Sequence, residues 1–191
     1  MSQDASPPGQ RYVPALVPMH YGRVPRLHLD RWSFTVGGAT EDGGQTVVDW
    51  ATLQDLPRRT VHSDLHCVSK VSVAGLTWSG VPLAEIVRLA PPEPGVEHVL
   101  FSAAYGYSAA VRLTDLDDPS ALLATHLDGE PLTPEHGWPA RIVLPHLYAF
   151  KGPKWVLAMD YHHTTPRGYW EQHGYHPRGR VEREERYAYR D

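Results

Sequence analysis

Apolar and polar positions alternate with a period of two in several short stretches, and that pattern sets the expected architecture. Residues 31–38 place Trp32, Phe34 and Val36 at every second position and end in Gly37-Gly38, the pattern of a strand with one buried face. Residues 98–103 form a more continuous apolar run, read as a buried strand, and residues 105–113 alternate again as its expected partner. Residues 122–127, then Asp128-Gly129, then Glu130-Pro131-Leu132 carry a strong hairpin signal, because Asp-Gly accepts the positive φ of a tight turn. Residues 140–145 and 154–161 add two strands, the second after a Lys151-Gly152-Pro153 turn. From Val61 the chain reads as a strand that ends in a loop at Cys67.

Helical spacing is rarer. Asp49 is a plausible N-cap for a short helix carrying Trp50, Leu53 and Leu56, stopped at Pro57. Leu83, Ile86, Val87 and Ala90 space a second helix, with Ser79 or Gly80 as its expected cap and Pro91-Pro92 as its stop. Thr114 with Asp117 resembles a capping box that opens a short helical turn. The expected fold class is α+β: a compact, mixed, β-rich domain over residues 15–191, preceded by an N-terminal arm over 1–14 that is mobile or loosely docked. There is no internal repeat.

Composition narrows the class. With 191 residues, 41% hydrophobic and 21% charged, the chain can bury a real core and is not a disordered one. Eighteen prolines favour short strands and shaped loops over long helices. A net charge of -4 argues against a nucleic-acid surface. One cysteine excludes an intramolecular disulfide. No apolar run reaches membrane-spanning length, and the first residues have no basic or apolar stretch of a secretory signal, so the expected location is cytoplasmic, without membrane or nucleic-acid partners.

The lone cysteine lies in His62-Ser63-Asp64-Leu65-His66-Cys67-Val68-Ser69-Lys70, and four readings of it compete. It can be a buried thiol in a binding module. A zinc site would use the nearby histidines, but the paired cysteines of structural zinc are missing. As a nucleophile Cys67 would need His66, His136 or His146 as base, and His66 is its strand neighbour, pointing to the opposite face. As a thiolate it could hold a soft metal whose other sulfurs come from a cofactor. Such a cofactor, if anionic, would need cations, available at Arg23, Lys70, Arg141, Lys151 and Lys154, and neutral donors, available at His20, His66 and His136. Trp78, Trp155 and Trp170 read as core, His62 as a structural strand residue, and the tail from Pro177 as solvated or docked through Tyr187 and Tyr189.

Residues 62–69, followed by Trp78-Ser79-Gly80-Val81-Pro82-Leu83, closely resemble the molybdopterin-binding domain of the sulfite oxidase superfamily, especially its small stand-alone prokaryotic members. The likeness extends, in order, through His20-Tyr21-Gly22-Arg23-Val24-Pro25, residues 124–137, residues 145–155 and residues 168–176. It implies a molybdenum-molybdopterin cofactor with Cys67 as thiolate ligand, and a two-electron cycle of Mo(VI) and Mo(IV) with oxygen-atom transfer to or from a small polar substrate. By the same resemblance His20, Arg23, His66, His136, Arg141, Lys151 and Lys154 contact the pterin or its phosphate. Tyr175 and Lys70 then join Cys67 as catalytic candidates, Tyr148 and Tyr169 as further proton donors, and an unidentified partner carries electrons. Sulfite oxidases proper place an arginine where Pro18 stands and follow the cysteine with asparagine and arginines, where this chain has Val68, Ser69, Lys70 and Val71. The expected substrate is therefore not sulfite. The alternative is a domain of the same fold that has lost cofactor or activity.

Overall fold

The computed structural model describes residues 6–15 and 17–189. Eleven strands form two sheets. In chain order they are β1 (Arg11–Tyr12), β2 (Ser33–Gly38), β3 (Thr46–Asp49), β4 (Arg59–His66), β5 (Val71–Pro82), β6 (His98–Ala103), β7 (Ser108–Arg112), β8 (Leu122–Leu127), β9 (Glu130–Pro131), β10 (Arg141–Val143) and β11 (Val156–His162). Three short helices, α1 (Trp50–Asp55), α2 (Leu83–Leu89) and α3 (Tyr169–Gln172), complete a β-rich α+β fold.

One sheet runs β3-β2-β11-β6-β7 and the other β1-β5-β8-β10, with β4 on β5 and β9 on β8. Both sheets supply the main core, through Phe34, Val99, Phe101 and Met159 from the first and Val81, Leu123 and Ile142 from the second. Alternation along β8 makes the second sheet two-sided. Leu123 enters the main core, while its neighbours Leu122 and Ala124 join Trp78, Leu132 and Val143 in a second cluster. That second cluster lies under the loop from Leu132 to β10, where two candidate residues sit.

Several expectations need correction. Residues 71–82 are one 12-residue strand, not a turn into a helix, so neither Ser79 nor Gly80 caps α2. Pro82 precedes α2 with no side-chain cap. Gly80 serves strand crossing instead: a Cβ there would lie 2.2 Å from the carbonyl oxygen of Leu123. The turn after β7 is capped through Arg112 and Asp115 rather than Thr114 and Asp117. The polar stretch after β2 is the loop of a hairpin with β3, a strand that its sequence did not announce. Asp49 does cap α1, accepting a bond from the Thr52 amide at 2.8 Å. The C-terminal tail is docked by Arg186 and Val181, both buried, while Tyr189 is exposed. Within the arm, β1 pairs in parallel with the start of β5, and residues 1–5 lie outside the described residues.

Candidate functional site

Cys67 sits where β4 turns into β5. The Lys70 amide donates to the Cys67 carbonyl at 3.2 Å, and the Cys67 amide donates to the Val71 carbonyl at 2.8 Å. Val68, Ser69 and Lys70 thus make a three-residue hairpin loop, whose third residue takes the left-handed conformation usually given to glycine. Lys70 takes it, at φ 70, and a side chain there costs about 1–2 kcal/mol. The Cys67 side chain is nearly buried, and Ser69 Oγ donates to Sγ at 3.0 Å.

The loop before β10 brings two cations together. Gly137 has φ 110, and a Cβ on it would lie 3.1 Å from Cβ of both Arg141 and Lys154. Only glycine lets those two side chains close on one backbone position. Arg141 is buried; Nη1 donates to the His136 carbonyl at 3.2 Å, and the guanidinium stacks 5.1 Å from the Trp78 ring centre. Its buried Nε has no partner. Burial pushes Arg141 down to about 10. Lys154 Nζ donates to the Met19 carbonyl at 2.7 Å, His20 Nδ1 at 2.7 Å and the Glu135 carbonyl at 2.9 Å. Burial, reinforced by the charge of Arg141, pushes Lys154 down to about 7. Among the described residues neither cation has a carboxylate ion-pair partner. His20 and His136 are held below the usual histidine range, chiefly by burial and then by these same two cations, Lys154 for His20 and Arg141 for His136.

Two tyrosines and Phe150 pack near the cysteine loop. Tyr107, whose hydroxyl donates to the Phe150 carbonyl at 2.5 Å, is raised by burial, then by Glu171 and Tyr175, and lowered by Arg141. Tyr175 is raised by burial, then by Tyr187 and by Cys67. The Tyr175 ring packs 4.8 Å from Trp170 and 5.2 Å from Phe150. Phe150 ties these groups to the cysteine loop: its carbonyl accepts from Tyr107, its ring packs on Tyr175, and it shares a cluster with Val68, while His66, next to Cys67, lines the cleft that Arg141 also lines. Tyr107 was not expected. Its only signal in the sequence is its place just after the glycine that follows a buried strand.

The other candidates divide. His66 ends β4, pairs through Nδ1 with Ser72 Oγ at 2.8 Å and lines a narrow cleft with Asp64, Leu65 and Arg141. Lys70 is exposed on the Cys67 loop, and Arg23 is exposed in the segment that carries His20. Lys151 is fully buried, and its ammonium donates to Ala110 O at 2.7 Å, Glu171 Oε1 at 2.5 Å and Pro177 O at 2.6 Å. All three of its protons are committed inside the protein. His146 faces Asp115 and Asp118, and His62 faces Thr77. Among the described residues no group of three or more His, Cys, Asp or Glu is arranged to hold a metal ion.

Comparison with known proteins settles the family. The model of the oxidoreductase molybdopterin-binding domain matches residues 21–170. The chain belongs to that family. It is 33% identical over 174 residues to the uncharacterized oxidoreductase YuiH of Bacillus subtilis, covering 91% of this chain and 87% of that protein. It is 29% identical over 159 residues to the protein-methionine-sulfoxide reductase catalytic subunit MsrP of Xanthomonas axonopodis pv. citri, covering 75% of this chain but 49% of the relative. Mitochondrial sulfite oxidase of Drosophila melanogaster is 25% identical over 179 residues, 80% of this chain and 31% of that one. The chain thus spans about half or less of these two longer relatives. The sulfane dehydrogenase SoxCD of Paracoccus pantotrophus shares the fold, with a TM-score of 0.69 at 21% identity over 76% of this chain and 42% of that chain. Family membership makes the protein an oxidoreductase whose cofactor is molybdopterin.

The residues present fit such an anionic group. A buried guanidinium with an unpartnered Nε and no carboxylate beside it is expensive unless an anion completes it. Lys154 bonds His20, Arg141 bonds the His136 carbonyl, and His66, next to Cys67, lines the cleft that Arg141 also lines.

Proposed function

We propose that the protein is a molybdenum-cofactor oxidoreductase that moves an oxygen atom to or from a small polar substrate. The observation that supports this most is a buried Arg141 and a half-buried Lys154 set side by side at Gly137 with no carboxylate ion-pair partner among the described residues. In this reading Cys67 supplies a thiolate to molybdenum. Arg141, Lys154 and His136 bind the pterin and its phosphate, and His20 contacts the pterin while Lys154 holds its ring. The cofactor, when bound, supplies the two-electron redox centre.

The protein's own groups shape the rest. Arg141 carries most of the burial cost of the site until an anion is present, so cofactor binding is driven partly by relief of that cost. In this reading Tyr175, packed on Phe150, holds or passes a proton at its hydroxyl. Lys70 is the one cation on the Cys67 loop, too few charges for the anion site of a sulfite oxidase, so the substrate is taken to be neutral and polar. The MsrP relative is named for methionine sulfoxide reduction, which makes sulfoxides the first substrate class to test. His66 and Arg23 have supporting roles at the edge of the site, and Lys151 is left out of it because its donors are spent. Electrons come from a partner that the chain does not name.

Metal and pterin analysis of protein made in a host that loads a known molybdoenzyme tests the reading. Stoichiometric molybdenum and pterin are expected, and Cys67→Ser should abolish turnover. Absence of both components would overturn the cofactor assignment; retained turnover in Cys67→Ser would overturn the ligand assignment alone.

A further inference from the structure

The Cys67 loop is bonded from outside by residues near both ends of the chain. Arg186 is 1% exposed, although it carries a charge. Its Nη1 donates to the Val68 carbonyl at 2.9 Å, and its Nη2 to the carbonyls of Pro8 and Gly9, both at 3.2 Å. The guanidinium lies 4.7 Å from the ring centre of buried Tyr148. Among the described residues its ion-pair partner is Glu184 Oε1 at 3.4 Å, which belongs to a half-exposed side chain. From the N-terminal side, Gln10 Nε2 donates to the Cys67 carbonyl itself at 3.1 Å. Around the loop, Val68 packs with Phe150, Val181 and Tyr148.

These bonds act on a loop that does not hold its shape for free. Lys70 sits at φ 70, so the turn that presents Cys67 stores backbone strain, and such strain persists only where the surroundings over-determine it. The Val68 carbonyl takes Arg186, and the Cys67 carbonyl, which already accepts the Lys70 amide within the turn, takes Gln10 as a second donor. We infer that Arg186 is a positioning residue for the cysteine ligand: with Gln10 it clamps the strained Cys67 turn between the two chain ends, so that the sulfur is pre-set before the cofactor arrives. The clamp stands on the geometry alone; its consequence for the cofactor rests on Cys67 being the ligand.

The single cysteine makes the test direct, since any thiol reagent reports on Cys67 alone. Cofactor-free protein is labelled with an aromatic disulfide under native conditions, at several low urea concentrations, alongside equilibrium unfolding. Arg186→Gln should label roughly tenfold faster or more, at a rate nearly independent of low urea, the mark of a local opening and not global unfolding. Arg186→Lys should recover part of the protection, and Gln10→Ala should give a smaller acceleration without emptying a buried charge site. Arg183→Ala, an exposed tail change, should label as wild type. Wild-type labelling in both Arg186→Gln and Gln10→Ala overturns the clamp, as does an acceleration that follows urea as global unfolding does. If Arg186→Gln does not fold, Gln10→Ala and Arg186→Lys decide by the same two criteria. Molybdenum and pterin content of the same variants is measured separately. Faster labelling with normal content keeps the clamp and removes its role in cofactor binding; wild-type protein without cofactor removes the functional reading and leaves the clamp to the labelling result.

Discussion

Two regions of this protein bury charge in opposite ways. Beneath the C-terminal segment Lys151 and Asp115 each meet an opposite charge. Lys151 meets Glu171 at 2.5 Å, and Arg178 grips both oxygens of Asp115 at 3.0 Å each. Burial pushes the Asp115 carboxyl up, but bonds from His146, Arg178 and the Arg112 amide outweigh it and hold it at about 2. Around Gly137 the balance differs: Arg141 and Lys154 are brought side by side with carbonyls, imidazoles and indole rings, and among the described residues no carboxylate pairs with either, Glu135 acting on Lys154 only from a distance. In the first arrangement charge is balanced within the protein, although Glu171 Oε2 stays without a hydrogen-bond partner. In the proposed reading an anion completes the second, a difference that motif position does not show. Lys151 and Lys154, three residues apart in one family motif, fall on opposite sides of it.

The largest expected effect comes from breaking the paired region. Lys151→Met strands Glu171 as a buried carboxylate and should cost about 3–5 kcal/mol, a large share of a domain's stability. Glu171→Gln on top should restore much of that loss. Urea unfolding of the cofactor-free variants measures both. A Lys151→Met midpoint close to wild type would mean that Lys151 is not structural, and would return it to the cofactor set.

The same measurement on the unpaired region should go the other way. The folded-state pKa of Lys154, about 7, lies below its ordinary value of 10.5, so the unfolded chain binds more protons between those two values. Stability contributed by this group therefore rises with pH above 7. The rise is expected to be about 2 kcal/mol between pH 7 and pH 9, after allowance for partial exposure. Lys154→Met should flatten that slope and make cofactor-free protein no less stable at pH 7, while pterin content falls. A variant that keeps the slope would show that the pH dependence lies elsewhere. One that is destabilised at pH 7 would place Lys154 with the paired cations.

The contrast also explains what was legible in the chain. Strand β6 follows directly from its apolar run, and the β8–β9 hairpin from Asp128-Gly129, because local pattern and turn chemistry agree there. Strand β5 was obscured because Gly75, Gly80 and Pro82 punctuate it; Gly80 answers to Leu123 on a neighbouring strand, a contact no local window contains. Cys67, His20, His136, Arg141 and Lys154 were nameable from motif likeness, but the likeness named Lys151 just as strongly. Only the positions of Glu171 and Pro177, distant in sequence, tell the two lysines apart. Tyr107 and Arg186 carry no local signature at all, since each matters through what folding sets against it.

The smallest effect tests backbone strain across the same divide. In the paired region the left-handed position beside Lys151 is filled by Gly179 at φ 70, whereas beside Cys67 the same φ is held by Lys70. Lys70→Gly removes about 1–2 kcal/mol of strain and returns about 0.5–1 kcal/mol through the freer unfolded chain. A net stabilisation of about 0.5–1 kcal/mol is expected from urea unfolding. Lys70→Ala loses the same ammonium but keeps the strain, so it should show no gain, and the two variants must differ for the argument to hold. In the loaded enzyme of the proposed reading both should raise KM alike, because the ammonium donor is what the substrate side loses. Equal stability of the Gly and Ala variants would show that the turn is unstrained, and would take away the reason for an external clamp on Cys67.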